Sequence, residues 1–145
     1  MKGVLGFAVY GSVARGDFKP TSDVDALVVS RDLPRSLAKR VDAFLGVEEL
    51  LRGEISFLAD RGVYTHLSWT PLTPEELARV PPVLLDIAED GLVVFEKGGF
   101  LTKILTLIRG KLVELGASRF EVCGKGYWDL GAKWGELAIE LPEAG

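Results

Sequence analysis

The sequence has few of the residues that cross-link small proteins or bind soft metals. Among its 145 residues there is one cysteine, Cys123, and one histidine, His66. A single cysteine excludes an internal disulfide and fits a reducing compartment, so we expect a cytoplasmic protein. With one residue of each type, a metal site built from cysteine and histidine is not expected. Disulfide scaffolds and zinc modules are therefore excluded.

Long apolar runs and an excess of positive charge are also missing. No apolar stretch reaches the roughly 20 residues that a membrane-spanning helix needs. No signal peptide is visible, because Met1-Lys2 leads directly into a strand-like run. The chain has 17 basic and 21 acidic residues, a net charge of −4. A large non-specific nucleic-acid surface is basic, so none is expected, although a local basic groove is not excluded. The remaining composition, 48% hydrophobic and 26% charged, is that of one soluble globular domain.

A strand–turn–strand segment near the N-terminus carries the chemistry. An apolar run at 4–10 leads into Gly11-Ser12, and a second run at 26–29 follows Asp23 and Asp25. Both runs are short and bounded by Gly, Ser and Pro, which predicts buried strands. A strand that ends in a Gly-Ser turn commonly presents backbone N–H groups to phosphate. Two aspartates two positions apart share one face of a strand, so the segment suits magnesium-dependent phosphoryl or nucleotidyl transfer.

This segment resembles a known signature. Gly11-Ser-x-x-Arg-Gly, followed by Ser22-Asp-x-Asp after the intervening loop, is similar to the motif of the DNA polymerase beta-like nucleotidyltransferases. The greatest resemblance is to their small stand-alone prokaryotic branch, the minimal nucleotidyltransferases, and the motif lies within residues 1–30. The resemblance implies transfer of NMP, AMP from ATP above all, to a hydroxyl with two Mg²⁺ ions. It also implies a small helical partner of the HEPN class, to which some members act as antitoxin by adding AMP, most often on tyrosine. Whether the protein forms a homo-oligomer is left open.

The resemblance assigns roles residue by residue. The candidate catalytic and metal-binding residues are Asp23 and Asp25, and the candidate nucleotide-binding residues are Gly11, Ser12 and Arg15. The aspartates would bind Mg²⁺ and align the NTP; the alternative is a strand-start pair that faces solvent. Gly11 would let the backbone approach the phosphates, and Ser12 would donate to them or cap a helix. Arg15 would reach a phosphate or pair with Asp17 in solvent.

One departure from the family pattern bears on activity. Active members carry a third carboxylate on a later strand, but residues 62–74 contain no Asp or Glu. His66 or Ser68, on one face of a strand predicted at 63–70, occupies the corresponding position. His66 would be a base or a metal ligand, or else an ordinary polar strand residue. The alternative function is a catalytically weak or inactive module that binds a nucleotide or a partner. A small-molecule transferase is less favoured, because the short chain has little room for a substrate domain.

The remaining pattern alternates strands and helices. Strands are predicted at 3–10, 23–30, 63–70 and 92–96, and helices from Asp32 to an interruption at Gly46, at 47–60, from Thr73, from Pro82 to Asp90, and at 101–115. A stripe of Leu37, Val41, Phe44 and Leu45 is expected to pack on the sheet. The predicted fold is an α+β sandwich, nucleotidyltransferase-like, with a small mixed sheet and helices mainly on one face.

The domain is assigned to residues 1–118. Residues 119–145 form an aromatic and Gly-rich tail, packed on the same domain, with one strand near 120–123. Its aromatic residues Tyr127, Trp128 and Trp134 suit a partner surface. Equally, these aromatic residues would cover the open edge of the sheet.

Overall fold

The computed structural model describes residues 3–123, 125–130 and 141–142. The elements in chain order are β1 (Val4–Tyr10), α1 (Gly11–Arg15), β2 (Val24–Ser30), α2 (Leu37–Leu50), α3 (Arg52–Ala59), β3 (Leu67–Leu72), α4 (Pro74–Ala78), α5 (Val83–Asp90), β4 (Leu92–Glu96), α6 (Phe100–Glu114), β5 (Ser118–Val122) and β6 (Lys125–Asp129). No helix in these ranges has both the length and the hydropathy needed to cross a membrane.

The central sheet has four strands in the order β3-β2-β1-β4. Strand β1 pairs antiparallel with both β2 and β4, whereas β2 and β3 are parallel. A parallel pair needs a crossover connection, and helices α2 and α3 lie in the chain between β2 and β3. The sheet is therefore mixed, and the predicted α+β class is confirmed.

The main hydrophobic core lies between one face of this sheet and helices α5 and α6. Leu27 and Val29 of β2 are fully buried in the same cluster as Leu84 of α5 and Ile104 of α6. The stripe predicted on the last long helix is buried as expected, in Leu101, Ile104, Leu105, Ile108 and Leu112. Each such side chain contributes about 1.5–3 kcal/mol when it leaves water. This core fixes the sheet from which the site is built.

Helix α2 differs from its prediction in bounds and orientation. It begins at Leu37, because Ser36 accepts a hydrogen bond from the Lys39 amide as an N-cap, and not at Asp32. It continues through Gly46 to Leu50. A glycine costs a helix only about 1 kcal/mol, which packing can offset.

The expected packing of the α2 stripe was also wrong in part. Leu37, Val41 and Leu45 are exposed, while Arg40 and Phe44 are the buried residues of the helix. Phe44 stacks on Trp69, with ring centroids 4.8 Å apart, on the sheet face opposite α5 and α6. Arg40 lies beside it because its guanidinium finds partners there: Pro71 O at 3.2 Å and the Glu76 carboxylate at 2.7–2.8 Å.

Strand β3 starts and ends later than predicted, at Leu67–Leu72 instead of 63–70. It contains Pro71, which an edge strand tolerates because a proline there need not donate to a neighbour on the outer side. The preceding residues form a loop. The Tyr64 amide donates to Pro20 O at 2.7 Å and the Val63 amide donates to Leu58 O at 2.9 Å. This shift sets which residue of β3 lies beside the aspartates.

The C-terminal tail has more regular structure than predicted. The expected strand near 120–123 is β5, which pairs with a second, unpredicted strand, β6, in a separate antiparallel hairpin. The hairpin docks on α5, where Trp128 Nε1 donates to Asp86 at 3.1 Å and Arg119 contacts Asp90. Trp128 thus contacts a helix, and the hairpin does not extend the four-stranded sheet. Trp134 lies outside the described residues.

Candidate active site

The bend between β1 and α1 depends on a glycine. Gly11 has φ of 75°, in the left-handed region that L-residues rarely adopt. A Cβ built at Gly11 would overlap Oδ2 of Asp25. The carboxylate of Asp25 therefore lies directly against the backbone of the bend. The structure brings together these two sequence-predicted site residues.

The sheet register sets the surroundings of Asp25. Asp25 lies beside Tyr10 in the antiparallel pair and beside Ser68 in the parallel pair. Asp23 lies just before β2 and is exposed, and its Oδ1 accepts a hydrogen bond from the His66 amide at 3.3 Å. The Val24 amide in turn donates to His66 O at 2.9 Å. Both carboxylates are thus held at the end of the sheet where β2 begins.

The electrostatics of the pair favour a cation. Burial raises the pKa of Asp25, and the negative charge of Asp23 raises it further. The Arg15 charge and a hydrogen bond from the Ser68 side chain oppose these effects. Two carboxylates whose charges repel, with a hydroxyl beside them, form an oxygen donor set of the kind that Mg²⁺ prefers. The residues present therefore fit a magnesium site.

Ser12 and Arg15 both lie on α1. Ser12 is half-buried in the first turn, and its carbonyl accepts from the amides of Gly16 and Asp17 at 2.9 and 3.1 Å. It is not the N-cap, which is Tyr10, so the capping alternative for its side chain does not hold. Arg15 Nε lies 3.3 Å from the Asp17 carboxylate, and its NH1 lies 3.8 Å from Asp90. These contacts leave the Arg15 side chain one-third exposed at the mouth of the site.

His66 and Ser68, both predicted on one strand, lie in different parts of the structure. Only Ser68 belongs to β3, and it lies beside Asp25, whereas His66 precedes the strand and contributes backbone groups to the Asp23 end. His66 is an exposed residue. Within the described ranges, no group of three or more His, Cys, Asp or Glu side chains could hold a metal ion. Any third protein ligand here would thus be an uncharged oxygen such as that of Ser68.

Sequence reasoning did not single out Tyr10. Its hydroxyl lies 2.6 Å from Thr70 Oγ1, a bond that links the end of β1 to β3. Burial raises the pKa of Tyr10, and the negative charges of Asp25 and Asp86 raise it further. The phenol is therefore close enough to Asp25 and to Asp86 of α5 to be affected by both charges. Its position directly before Gly11 was visible in the sequence, but its partner became apparent only from the β3 register.

Comparisons with known proteins agree with this architecture. The sequence profile of the nucleotidyltransferase domain family matches residues 1–98. A crystal structure described as a toxin-antitoxin with AMP-PNP is similar in fold: TM-score 0.50, 12% identity, 80% of this chain and 83% of that chain covered. A mutant of the toxin-antitoxin MntA-HpeT gives a TM-score of 0.48 at 10% identity, with the same coverage. No curated protein sequence matches the chain.

The family match includes the whole of the strand–turn–strand segment and six further elements, from α2 to β4. It spans β1 to β4, so Gly11, Asp23, Asp25 and Ser68 all lie inside it. More than half of the chain is covered, and the resemblance read from the Gly-Ser and Asp-x-Asp motifs is confirmed. The chain belongs to the nucleotidyltransferase domain family.

Proposed function

We propose that this protein transfers AMP from ATP to a hydroxyl of a protein partner, as the antitoxin of a pair whose toxin is a small helical HEPN-class protein. The observation that carries the chemistry is the contact between the Gly11 bend and the Asp25 carboxylate. It sets a phosphate-sized turn beside a pair of acids, inside a domain of the nucleotidyltransferase family. A bound triphosphate needs such a turn for its phosphates, and the divalent cation that accompanies it needs the acids.

The roles of the residues follow from their chemistry. Asp23 and Asp25 would hold Mg²⁺, which when bound neutralises charge on the phosphates and keeps the reacting groups in line. Gly11 keeps the bend free of a side chain, and Ser12 donates to the outer phosphates. Arg15, one-third exposed, reaches the leaving pyrophosphate. The acceptor oxygen bonds to the α-phosphorus, the bond from that phosphorus to the bridging oxygen breaks, pyrophosphate leaves with the electron pair, and the hydroxyl proton passes to solvent water.

The proposed partner and nucleotide rest on two supports. The chain resembles minimal nucleotidyltransferases, whose branch pairs with HEPN-class proteins. A fold neighbour at TM-score 0.50 is described as a toxin-antitoxin with AMP-PNP, an ATP analogue. Both favour ATP as the substrate and a protein as the acceptor.

The test is to incubate the purified protein with Mg²⁺, ATP and the helical protein encoded beside it, and to weigh the partner by mass spectrometry. We expect the mass of AMP to be added to the partner, and Asp23→Asn to abolish the addition. Asp60→Asn, at the exposed end of α3, is the matched control and should leave the addition unchanged. A correctly folded pair that gains no mass would contradict transfer.

A second function is favoured by one observation: strand β3 has no carboxylate, and Ser68 lies beside Asp25 instead. Without a third acid, the same site would bind a nucleotide and a partner without turnover. In that case the wild type would bind both by calorimetry yet add no mass, and Asp25→Asn would keep its affinity for the partner. The incubation above therefore separates the two functions.

A further inference from the structure

A cleft of about 380 Å³ lies between helix α5 and the C-terminal hairpin. Its apolar wall comes from the α4–α5 connection and α5, including Val80 and Val83. The facing wall is aromatic and comes from β6, with Tyr127 and Trp128. Among the described residues that line it, Asp86 is the one acid. A volume above about 300 Å³ with apolar walls and few polar groups is typical of a small-molecule site.

The aromatic wall is held in place by polar contacts. Trp128 Nε1 donates to Asp86 Oδ1 at 3.1 Å, and Arg119 NH2 lies 3.6 Å from the same oxygen. Among the described residues, these contacts both use Oδ1, so Oδ2 is the acceptor available to a ligand. Trp128 also packs against the main hydrophobic cluster. The cleft thus presents a fixed indole and a carboxylate oxygen together.

The cleft adjoins the candidate active site through α5. Arg15 of the phosphate bend lies 3.8 Å from Asp90, and Asp90 is bound by Arg119 at 2.5 Å. Asp86 is one helical turn before Asp90, about 5–6 Å along the axis. Tyr10, beside Asp25 in the sheet, packs against the same cluster as Trp128. Helix α5 therefore connects the wall of the cleft to the residues around the Gly11 bend.

The backbone is strained at Val80, in the wall of the cleft. Val80 is buried and has φ of 50°. A β-branched residue in this region is a genuine outlier. Strain of this kind costs about 1–3 kcal/mol and is concentrated at functional sites. The surrounding fold keeps Val80 in the cleft wall against that cost.

We propose that this cleft binds the amino-bearing purine base of the nucleotide, an inference that rests on the proposed function. The base is the one uncharged aromatic part of an NTP, so it fits an apolar cleft that the triphosphate would avoid. Stacking of a base on an aromatic side chain is worth about 1–3 kcal/mol. A carboxylate oxygen accepts from an exocyclic amine, as Asp and Glu do from cytosine. Asp86 would thus select adenine over hypoxanthine, whose 6-position carries a carbonyl.

The aromatic wall on which the base would stack lies in the C-terminal part of this chain, beyond the family match. The family match ends at residue 98, whereas β6 spans Lys125–Asp129. The phosphate bend and the aspartates lie inside the match, and the aromatic wall lies outside it. Binding of the phosphates and binding of the base should therefore be separable by mutation.

The test is calorimetry on the full chain with three probes in Mg²⁺: ATP, ITP and inorganic tripolyphosphate. We expect Trp128→Leu to weaken ATP binding about tenfold, since one stacked base is worth about 1.4 kcal/mol or more, and to leave tripolyphosphate binding unchanged. Asp86→Asn should remove the preference for ATP over ITP. Phe95→Leu, an exposed aromatic of β4 outside the cleft, is the control. Thermal unfolding of each variant verifies folding.

The outcomes separate the two hypotheses. Unchanged ATP binding and an unchanged ATP-to-ITP ratio in folded variants would overturn the cleft assignment alone. So would variants that weaken the acceptor protein's binding and not that of ATP, because the cleft would then belong to the acceptor. Failure of the wild type to bind tripolyphosphate would overturn the proposed function, and this inference with it.

Discussion

At Gly11 the backbone lies so close to the carboxylate of Asp25, a candidate metal ligand, that no room is left for a Cβ atom. The position has positive φ, and its α-carbon faces Oδ2 of Asp25. The sequence spacing predicted that a Gly-Ser bend and an Asp-x-Asp strand belong together. The direct contact could not be predicted, because it depends on the antiparallel register that sets Asp25 beside Tyr10. Two glycines with similar φ allow the contact to be tested separately from the strain.

Gly11→Ala should lower the free energy of unfolding more than Gly16→Ala and should abolish binding of Mg²⁺ and ATP. Both substitutions place a side chain in the left-handed region, at about 1–2 kcal/mol each, since Gly16 has φ of 85°. A Cβ at Gly16 meets no heavy atom within 4 Å, whereas at Gly11 it displaces Asp25. Urea unfolding and calorimetry measure the two effects. Equal losses in both variants would show that the Asp25 contact is unimportant.

Ser68→Asp should raise the affinity for Mg²⁺ or Mn²⁺, because it adds a third carboxylate beside Asp25 in the β3 register. Metal affinity rises with the number of charged ligands, so we expect a gain of about tenfold, or 1.4 kcal/mol. The control is Ser68→Asn, which is similar in size to aspartate but uncharged. Mn²⁺ titration by electron paramagnetic resonance measures the affinity. Equal affinities for the Asp and Asn variants would place residue 68 outside the metal's reach.

Among the elements, helix α2 shows what the spacing of hydrophobic residues cannot predict. The apolar row Leu37, Val41, Phe44 and Leu45 predicts a buried face, but of this row the helix buries only Phe44, together with Arg40. Hydrophobic spacing identifies a helix and cannot decide which flank meets the sheet. Here the decision rests on tertiary contacts: the Phe44–Trp69 stack and the bonds from Arg40 to Pro71 O and Glu76. The helix predicted from Thr73 is α4, and the Thr73 side chain caps it by accepting from the Glu76 amide.

Glu76→Gln should lower the free energy of unfolding by about 1.5–3 kcal/mol at pH 7, the range for hydrogen bonds to charged groups. Hydrogen bonding from Arg40 lowers the pKa of Glu76 in the folded state. The stabilisation is therefore present above the unfolded-state pKa of about 4.3 and is lost as pH falls through the lower folded-state value. The difference between variant and wild type should shrink in acid.

The measurement is urea unfolding of both proteins between pH 7 and pH 3. Glu75→Gln serves as the control, because Glu75 is the exposed neighbour on the same helix turn. It should change stability little at any pH. A Glu76→Gln difference that stays constant with pH would contradict the ion pair as its cause.

Across the whole molecule, sequence reasoning gave the class of fold and missed the hairpin. Alternating apolar runs and capped helices predicted the mixed sheet and the buried stripe of α6, because burial enforces those periods. The β5–β6 hairpin turns at Cys123, whose φ is 52°. Hairpin turns with positive φ usually carry Asn, Asp or Gly; Cys123 is none of these, so Gly124 was the one turn signal in the sequence between the two strands. The candidate base cleft could not be predicted either, because β6 of this hairpin forms one of its walls.

The central claim is that the Gly11-Ser12 bend and the two aspartates hold one triphosphate with its metal. A crystal structure of the full chain with Mn²⁺ and a non-hydrolysable ATP analogue tests it most directly, since the anomalous signal locates the metal. We predict metal bound by the Asp23 and Asp25 carboxylates and phosphate oxygens against the Gly11-Ser12 amides. A nucleotide bound elsewhere, or metal that neither aspartate touches, would contradict the account.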